Sequence, residues 1–379
     1  MINKVVIAPD SFKGTMSAVE ICDIVEKAFQ KHSPGTHIVK VPVADGGEGT
    51  VDAYIAGIGG TYRTARVQGP MGDPVDARYG VLEDGRTAVI EMAAASGLTL
   101  VHGGLRPMSA STFGTGQLIL HAAGQGVRKI ILGIGGSATS DGGIGALSAL
   151  GVRFLDENGG DVLPCADGLR FIRSIDAGGL YPGLNGIEIR IACDVTNPLA
   201  GNNGAAHIYG PQKGAGPAEV ELIDRGLLHL NEILSAHTGI DRKDQPGMGA
   251  AGGIALSMTS FLNARLESGI DLILSIADFD ERISDADFVI TGEGKVDGQS
   301  VQGKVLAGIA RRAARRGVPV VALVGDVGDG YERLYDIGIT AIFSTNRAAV
   351  PFETARKTCR EDLGFLMESL LKYYNIKMR

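Results

Sequence analysis

Tryptophan is absent from this 379-residue chain, and aromatic residues make up only 5% of it. That leaves no stacking surface for single-stranded nucleic acid and little material for an aromatic interface core. Basic character is equally thin: the formal net charge is -7, and the largest basic grouping, Arg311, Arg312, Arg315 and Arg316, falls on one expected helix as a solvated face. No nucleic-acid partner is expected. The four cysteines, Cys22, Cys165, Cys193 and Cys359, are far apart and form no C-x-x-C pair, which reads as reduced structural thiols. No apolar run is long enough to span a bilayer, and the opening MINKVVIAPD reads as a strand, so the expectation is a cytoplasmic protein without a membrane partner. Ser11, Ser137 and Ser140 lack the G-x-S-x-G elbow of a serine hydrolase. Of the seven histidines only His207 adjoins a motif, and none shows metal-ligand spacing. No internal repeat is present.

Glycine, by contrast, is abundant: 56 residues, about twice the ordinary usage of roughly 7%. Much of it is gathered into short segments that carry an acid, a lysine or an amide. These are PDSFKG (Pro9 to Gly14), ADGGEGT (Ala44 to Thr50), GIGGSATSDGG (Gly133 to Gly143), CDVTNPLAG (Cys193 to Gly201) and TGEGKVDGQS (Thr291 to Ser300). Glycine lets backbone N–H groups approach a ligand closely, while the acids hold a cation or take a proton, which is the chemistry of a phosphate and metal cleft.

The pattern between these segments predicts an α/β chain. Lys4 to Ala8 reads as a buried strand, and Ser17 with Glu20 forms a capping box opening a helix with the apolar stripe Val19, Cys22, Val25, Ala28 and Phe29. Ile38 to Val43 reads as a second strand, followed by a helix from Thr50 to about Gly57. The rhythm returns near the C-terminus with strands at Phe288 to Ile290, Val318 to Val324 and Thr340 to Ser344. Helices near Lys304 to Arg316, Tyr331 to Ile337 and Phe352 to Lys372 accompany them. Joining the two ends gives one parallel-sheet domain, residues 1–60 and 285–379, interrupted by an inserted α/β domain over residues 61–284. The insertion carries antiparallel signals, including Val152 to Leu155 returning at Val162-Leu163 through Asn158-Gly159. The active site is expected in the cleft between the domains.

Two familiar motifs fit poorly. Gly298 to Val305 has P-loop glycine spacing, but Val305 stands where a magnesium-binding hydroxyl belongs. Gly133-Ile-Gly135-Gly-Ser-Ala138 follows the strand Lys129 to Leu132 and has Asp156 about 20 residues on, as a dinucleotide fingerprint does. Yet Ser140-Asp141-Gly142-Gly143 breaks the helix that should face the pyrophosphate, leaving a dehydrogenase as the alternative reading. The acids Asp10, Asp45, Glu48, Asp141, Asp194, Glu293 and Asp297 suit Mg²⁺ held by one or two carboxylates together with substrate phosphate. Lys13 and Lys213 lie in glycine-bounded loops, and Lys304 opens a helix.

In order along the chain, PDSFKG, ADGGEGT, GIGGSATSDGG, CDVTNPLAG with Gly204-Ala-Ala206, GPQKGA, GAAGG and TGEGKVDGQS resemble the bacterial type of glycerate kinase. The resemblance implies ATP-dependent phosphorylation of D-glycerate, at the 2-hydroxyl. It also implies a flavodoxin-like domain interrupted by a second α/β domain. One departure is visible: Ser140 stands where the family often has Asn. For such a kinase the expected catalytic set is Asp194 as base, Lys13 on the transferring phosphoryl group and Asp45. Gly135, Gly136, Ser137, Asp141, Gly142, Lys213 and Lys304 are the expected phosphate contacts. Ser11, Asp10, Arg66 and Asn197 are the expected glycerate contacts, with Arg78 as a further possibility for the carboxylate, and Glu293 and Asp297 are the expected Mg²⁺ ligands. Small molecules are the expected partners of a monomer or homodimer. A dehydrogenase of a small hydroxy acid and a noncatalytic nucleotide-binding protein are the alternatives to the kinase.

Overall fold

The computed structural model of the chain describes residues 2–298, 300–301 and 305–377. In chain order the strands are β1 (Lys4–Pro9), β2 (His37–Lys40), β3 (Gly60–Gln68), β4 (Pro74–Leu82), β5 (Thr87–Glu91), β6 (Lys129–Gly133), β7 (Arg153–Leu155), β8 (Ser174–Asp176), β9 (Glu188–Ala192), β10 (Arg265–Glu267), β11 (Phe288–Val296), β12 (Val320–Val327) and β13 (Ile339–Ser344). The chain divides into two compact units. One comprises Met1–Asp45, Asp52–Gly59 and Ile270–Arg379, and the other Gly46–Val51 and Gly60–Gly269. The helices Gly269–Ile276 and Phe279–Arg282, which precede residue 285, fall essentially within the first unit.

The first unit is built on a five-stranded sheet in the order β13-β12-β11-β1-β2, all parallel. Counted along this unit alone the order is the flavodoxin-like 2-1-3-4-5, with its topological switch point between β1 and β11. Val5, Val6, Ile7 and Ala8 are fully buried, which explains why β1 is an unbroken apolar run: both of its faces are covered. The helix Ala18–His32 begins at the expected capping box. The Ser17 hydroxyl accepts from the Glu20 N–H, and the Glu20 carboxylate accepts from the Ser17 N–H. Its stripe Ile21, Cys22, Val25 and Phe29 shares one core with Cys359, Leu363, Met367 and Leu371 of the last helix, Phe352–Lys377. Strand β2 is bounded at Lys40, short of the expected Val43, although the Val41 and Val43 N–H groups still donate to the Ile7 and Pro9 carbonyls of β1.

The second unit holds a six-stranded mixed sheet in the order β10-β9-β6-β5-β4-β3. Strands β10, β9, β6 and β5 are parallel, and β5-β4-β3 are antiparallel. The expected return of β7 at Val162-Leu163 is reduced to a single bridge between Leu155 and Asp161, with the Val162 N–H bonded to the Phe154 carbonyl. Pro164 ends that ladder, and β7 pairs instead with β8 in a separate two-stranded sheet. Among the described residues no helix is long and apolar enough to cross a membrane.

Candidate active site

The first unit gathers its acids and a lysine at the carboxyl ends of its parallel strands. Asp10 directly follows β1, and its N–H donates to the Gly292 carbonyl of β11 at 2.9 Å, which fixes it at the switch point. Its carboxylate accepts from the Ser11 N–H at 2.6 Å and is 8% exposed. Burial, reinforced by the neighbouring charge of Asp45, pushes the Asp10 carboxyl up to about 6. The turn after it bends back through the Phe12 N–H to Met16 carbonyl bond, and Gly14, at a φ of +77°, takes the left-handed conformation that this turn needs. Lys13 projects from the turn and pairs with Asp45 at 3.5 Å. The Asp45 carboxylate, with lesser help from Asp10 and Glu293, holds the lysine in its charged form. Glu293, within β11 and also 8% exposed, accepts from the Ser300 hydroxyl at 2.8 Å.

These side chains line a cavity of about 600 Å³ that lies wholly within the first unit. Asp10, Ser11, Lys13, Asp45 and Glu293 are thus brought together from three separate stretches of sequence. Asp326 at the end of β12, Thr345 and Asn346 after β13, and Arg356 of the last helix line the same cavity and were missed from sequence. The Asn346 amide donates to the Gly325 carbonyl at 2.6 Å, tying two strand ends together. The signal that singles out Asp10, an acid just past an apolar β-branched run, is repeated in Val324-Gly325-Asp326.

The second unit assembles a different cluster. Lys213 is 3% exposed, and its ammonium donates to the Ser137 hydroxyl at 2.9 Å and to the Thr139 carbonyl at 2.5 Å. Burial lowers the lysine to about 7, with Asp141 acting in the opposite direction. Asp141 is itself fully buried; desolvation raises its carboxyl, while bonds from the Thr112 N–H and hydroxyl, each 2.8 Å, and from the Gly143 and Gly145 N–H groups favour the charged form. Within the same loop the Gly135 N–H donates to the Gly46 carbonyl, the Gly142 N–H to the Gly252 carbonyl, and the Gly136 carbonyl accepts from Leu98. The loop is therefore tied to neighbouring segments by many of its polar groups.

The remaining candidates have partners of their own. Asp194 follows β9 and accepts from the Gly269 N–H at 3.0 Å. Asn197 accepts from the Tyr209 hydroxyl and donates to the Asn203 carbonyl. Arg66 lies in a cross-strand ion pair with Asp76 at 2.9 Å, with both side chains more than half exposed, and Arg78 lies over the Tyr62 ring. The Asp297 N–H donates to the Ser300 hydroxyl. Lys304 lies outside the described residues. Among the described residues no three His, Cys, Asp or Glu side chains gather as a metal site. The dinucleotide pattern fails on topology: β7 lies outside the sheet that contains β6, and Asp156 caps a turn by accepting from the Asn158 and Gly160 N–H groups.

Residues 5–375 match the family model described as the glycerate kinase family. The chain is 47% identical over 342 residues to the glycerate 2-kinase of Escherichia coli K12 and 46% identical over 344 residues to the glycerate kinase of Halalkalibacterium halodurans, with 90% of both chains covered in each case. A solved structure from Salmonella typhimurium LT2, described provisionally as a glycerate kinase 2, matches over the whole of both chains with a TM-score of 0.89 and 39% identity. The chain belongs to the glycerate kinase family and is a kinase that acts on glycerate.

Proposed function

We propose that the protein transfers the γ-phosphoryl group of ATP to the 2-hydroxyl of D-glycerate, assisted by Mg²⁺. The observation that carries this reading is the meeting of Asp10, Lys13, Asp45 and Glu293 in one pocket at the carboxyl ends of parallel strands. Phosphoryl transfer requires little covalent chemistry from a protein; it requires alignment and neutralisation of charge. Lys13, charged and projecting from its turn, neutralises the transferring group. Asp10 and Ser11 face the acceptor. A carboxylate, assigned as Asp194, takes the proton of the hydroxyl as its oxygen bonds to the γ-phosphorus and the bond to the bridging oxygen breaks, releasing ADP. The carboxylates of Asp45 and Glu293, which line the same cavity, are hard oxygen donors of the kind Mg²⁺ takes alongside substrate phosphate, and Asp297 stands four residues after Glu293 as a further candidate. When bound, the ion supplies neutralisation of the phosphate charge. The name of the Escherichia coli relative supports the 2-position.

A ³¹P NMR time course with ATP, Mg²⁺ and D-glycerate tests this. A new phosphomonoester signal coupled to the proton on carbon 2 is expected. A signal coupled to the carbon 3 protons would overturn the regiochemistry, and loss of the signal without Mg²⁺ is the outcome that upholds the ion. Lys13→Met should lower kcat by about 10²- to 10³-fold, as removal of a group that stabilises transition-state charge does.

A further inference from the structure

We infer that the cavity of the first unit is the nucleotide site, with the adenine base against Phe352 and Val350 and the polyphosphate running to Lys13. This rests on the ATP-dependent reading above. At about 600 Å³ the cavity is far larger than a three-carbon acid can fill and falls in the range that encloses ligands the size of a nucleotide.

Its lining is divided in two. One end is polar and made of strand termini: Asp10, Lys13, Asp45, Glu293, Asp326 and Asn346. The other is formed by the first turns of the helix Phe352–Lys377, where Phe352, Ala355 and Cys359 recur at helical spacing and so share one face, with Arg356 of the same turns also lining the cavity. Val350 precedes that helix on the same wall.

Phe352 is 59% exposed and Val350 43% exposed although both line a cavity. Such a ring offers a free face to a base. The two ends also meet: the Phe352 ring tip lies 3.9 Å from where a Cβ on Gly14 would sit, so the aromatic wall stands beside the turn that carries Lys13. Four carboxylates, Asp10, Asp45, Glu293 and Asp326, line the cavity against Lys13, Lys295 and Arg356, so acids outnumber cations and the site favours the nucleotide as its Mg²⁺ complex over a bare polyphosphate.

The test is isothermal titration of the full chain with MgADP, together with steady-state kinetics, for the wild type, Phe352→Ala, Phe352→Trp and Phe365→Ala. Phe365 is exposed on the same helix, with Arg347 over its ring. Phe352→Ala should weaken MgADP binding and raise the KM for ATP about tenfold, equivalent to about 1.4 kcal/mol of stacking. Its KM for glycerate should stay within about twofold, with Phe352→Trp restoring affinity and Phe365→Ala matching the wild type. If the wild type binds MgADP and Phe352→Ala binds it equally well, or if only the glycerate KM rises, the assignment is overturned while the ATP reading stands. A wild type that phosphorylates glycerate from another donor and binds no MgADP overturns both.

Discussion

Asp10 holds a proton at a pH where an ordinary aspartate has lost it, and this has a thermodynamic consequence. Its carboxyl is raised from 3.8 to about 6 in the folded protein, chiefly by burial. A group that binds its proton more tightly when folded contributes stability that is fully present below about pH 4 and is lost as the pH rises through about 6. The shift of about two units corresponds to roughly 3 kcal/mol forfeited at neutral pH. Asp10→Asn keeps an oxygen to accept from the Ser11 N–H and removes the charge. Urea unfolding should show this variant more stable than the wild type by about 2–3 kcal/mol at pH 7.5 and no more stable at pH 4. Identical profiles for the two proteins would refute the burial of a charged carboxylate. Asp10, Lys13, Asp45 and Glu293 were legible in the sequence because each follows an apolar run or sits among glycines. Asp326 carries the same signal as Asp10, but Asn346 and Arg356 were not legible, since it is the order of strands in the sheet that brings them to the same cavity, and strand order is not written in local pattern. The glycine-bounded loop of Lys213 is what marks it in the sequence, whereas the Ser137 and Thr139 oxygens that accept from its ammonium come into reach only through the fold.

At the scale of the element, the helix Ala18–His32 shows what local chemistry determines. Its start is set by reciprocal bonds between Ser17 and Glu20, and Glu20 is also held by Arg360 at 2.7 Å, which links the cap to the last helix. Ser17→Ala should cost about 1 kcal/mol in thermal or urea unfolding, and Ser17→Asp should recover most of it, because an aspartate can accept the same N–H. Equal losses in both variants would show that the cap contributes nothing. Caps, apolar stripes and buried runs made this helix, β1, β6 and the strands near the C-terminus readable in advance. The partner of β7 was not readable: a hairpin signal at Asn158-Gly159 predicts a neighbouring return strand, but Pro164 and the exposed Leu163 let that return go no further than the bridge at Asp161 and the bond from Val162. Pairing then falls to β8, a choice made by tertiary packing rather than by the turn.

At the scale of the molecule, the split sheet has a cost in folding time. Strand β1 is central, between β2 and β11, and its register pairs Val5 with Phe288 and Pro9 with Gly292, so its second neighbour is brought from the far end of the sequence. The pair β1-β2 is local but only two-stranded, and two strands alone are marginal. The second unit, by contrast, draws β3 to β10 from the continuous stretch Gly60–Gly269 and has its own large core. Closing the long loop between β1 and β11 is an entropic cost that must be met before their contacts form, and ordering the second unit shortens that loop. Refolding followed by pulsed hydrogen exchange should therefore protect the amides of Ile131 and Ile191, in β6 and β9, before those of Ile7 and Ile290, in β1 and β11. Simultaneous protection of the two sets, or earlier protection of β1 and β11, would show that the ends find each other without the inserted unit and would remove the kinetic role argued for it.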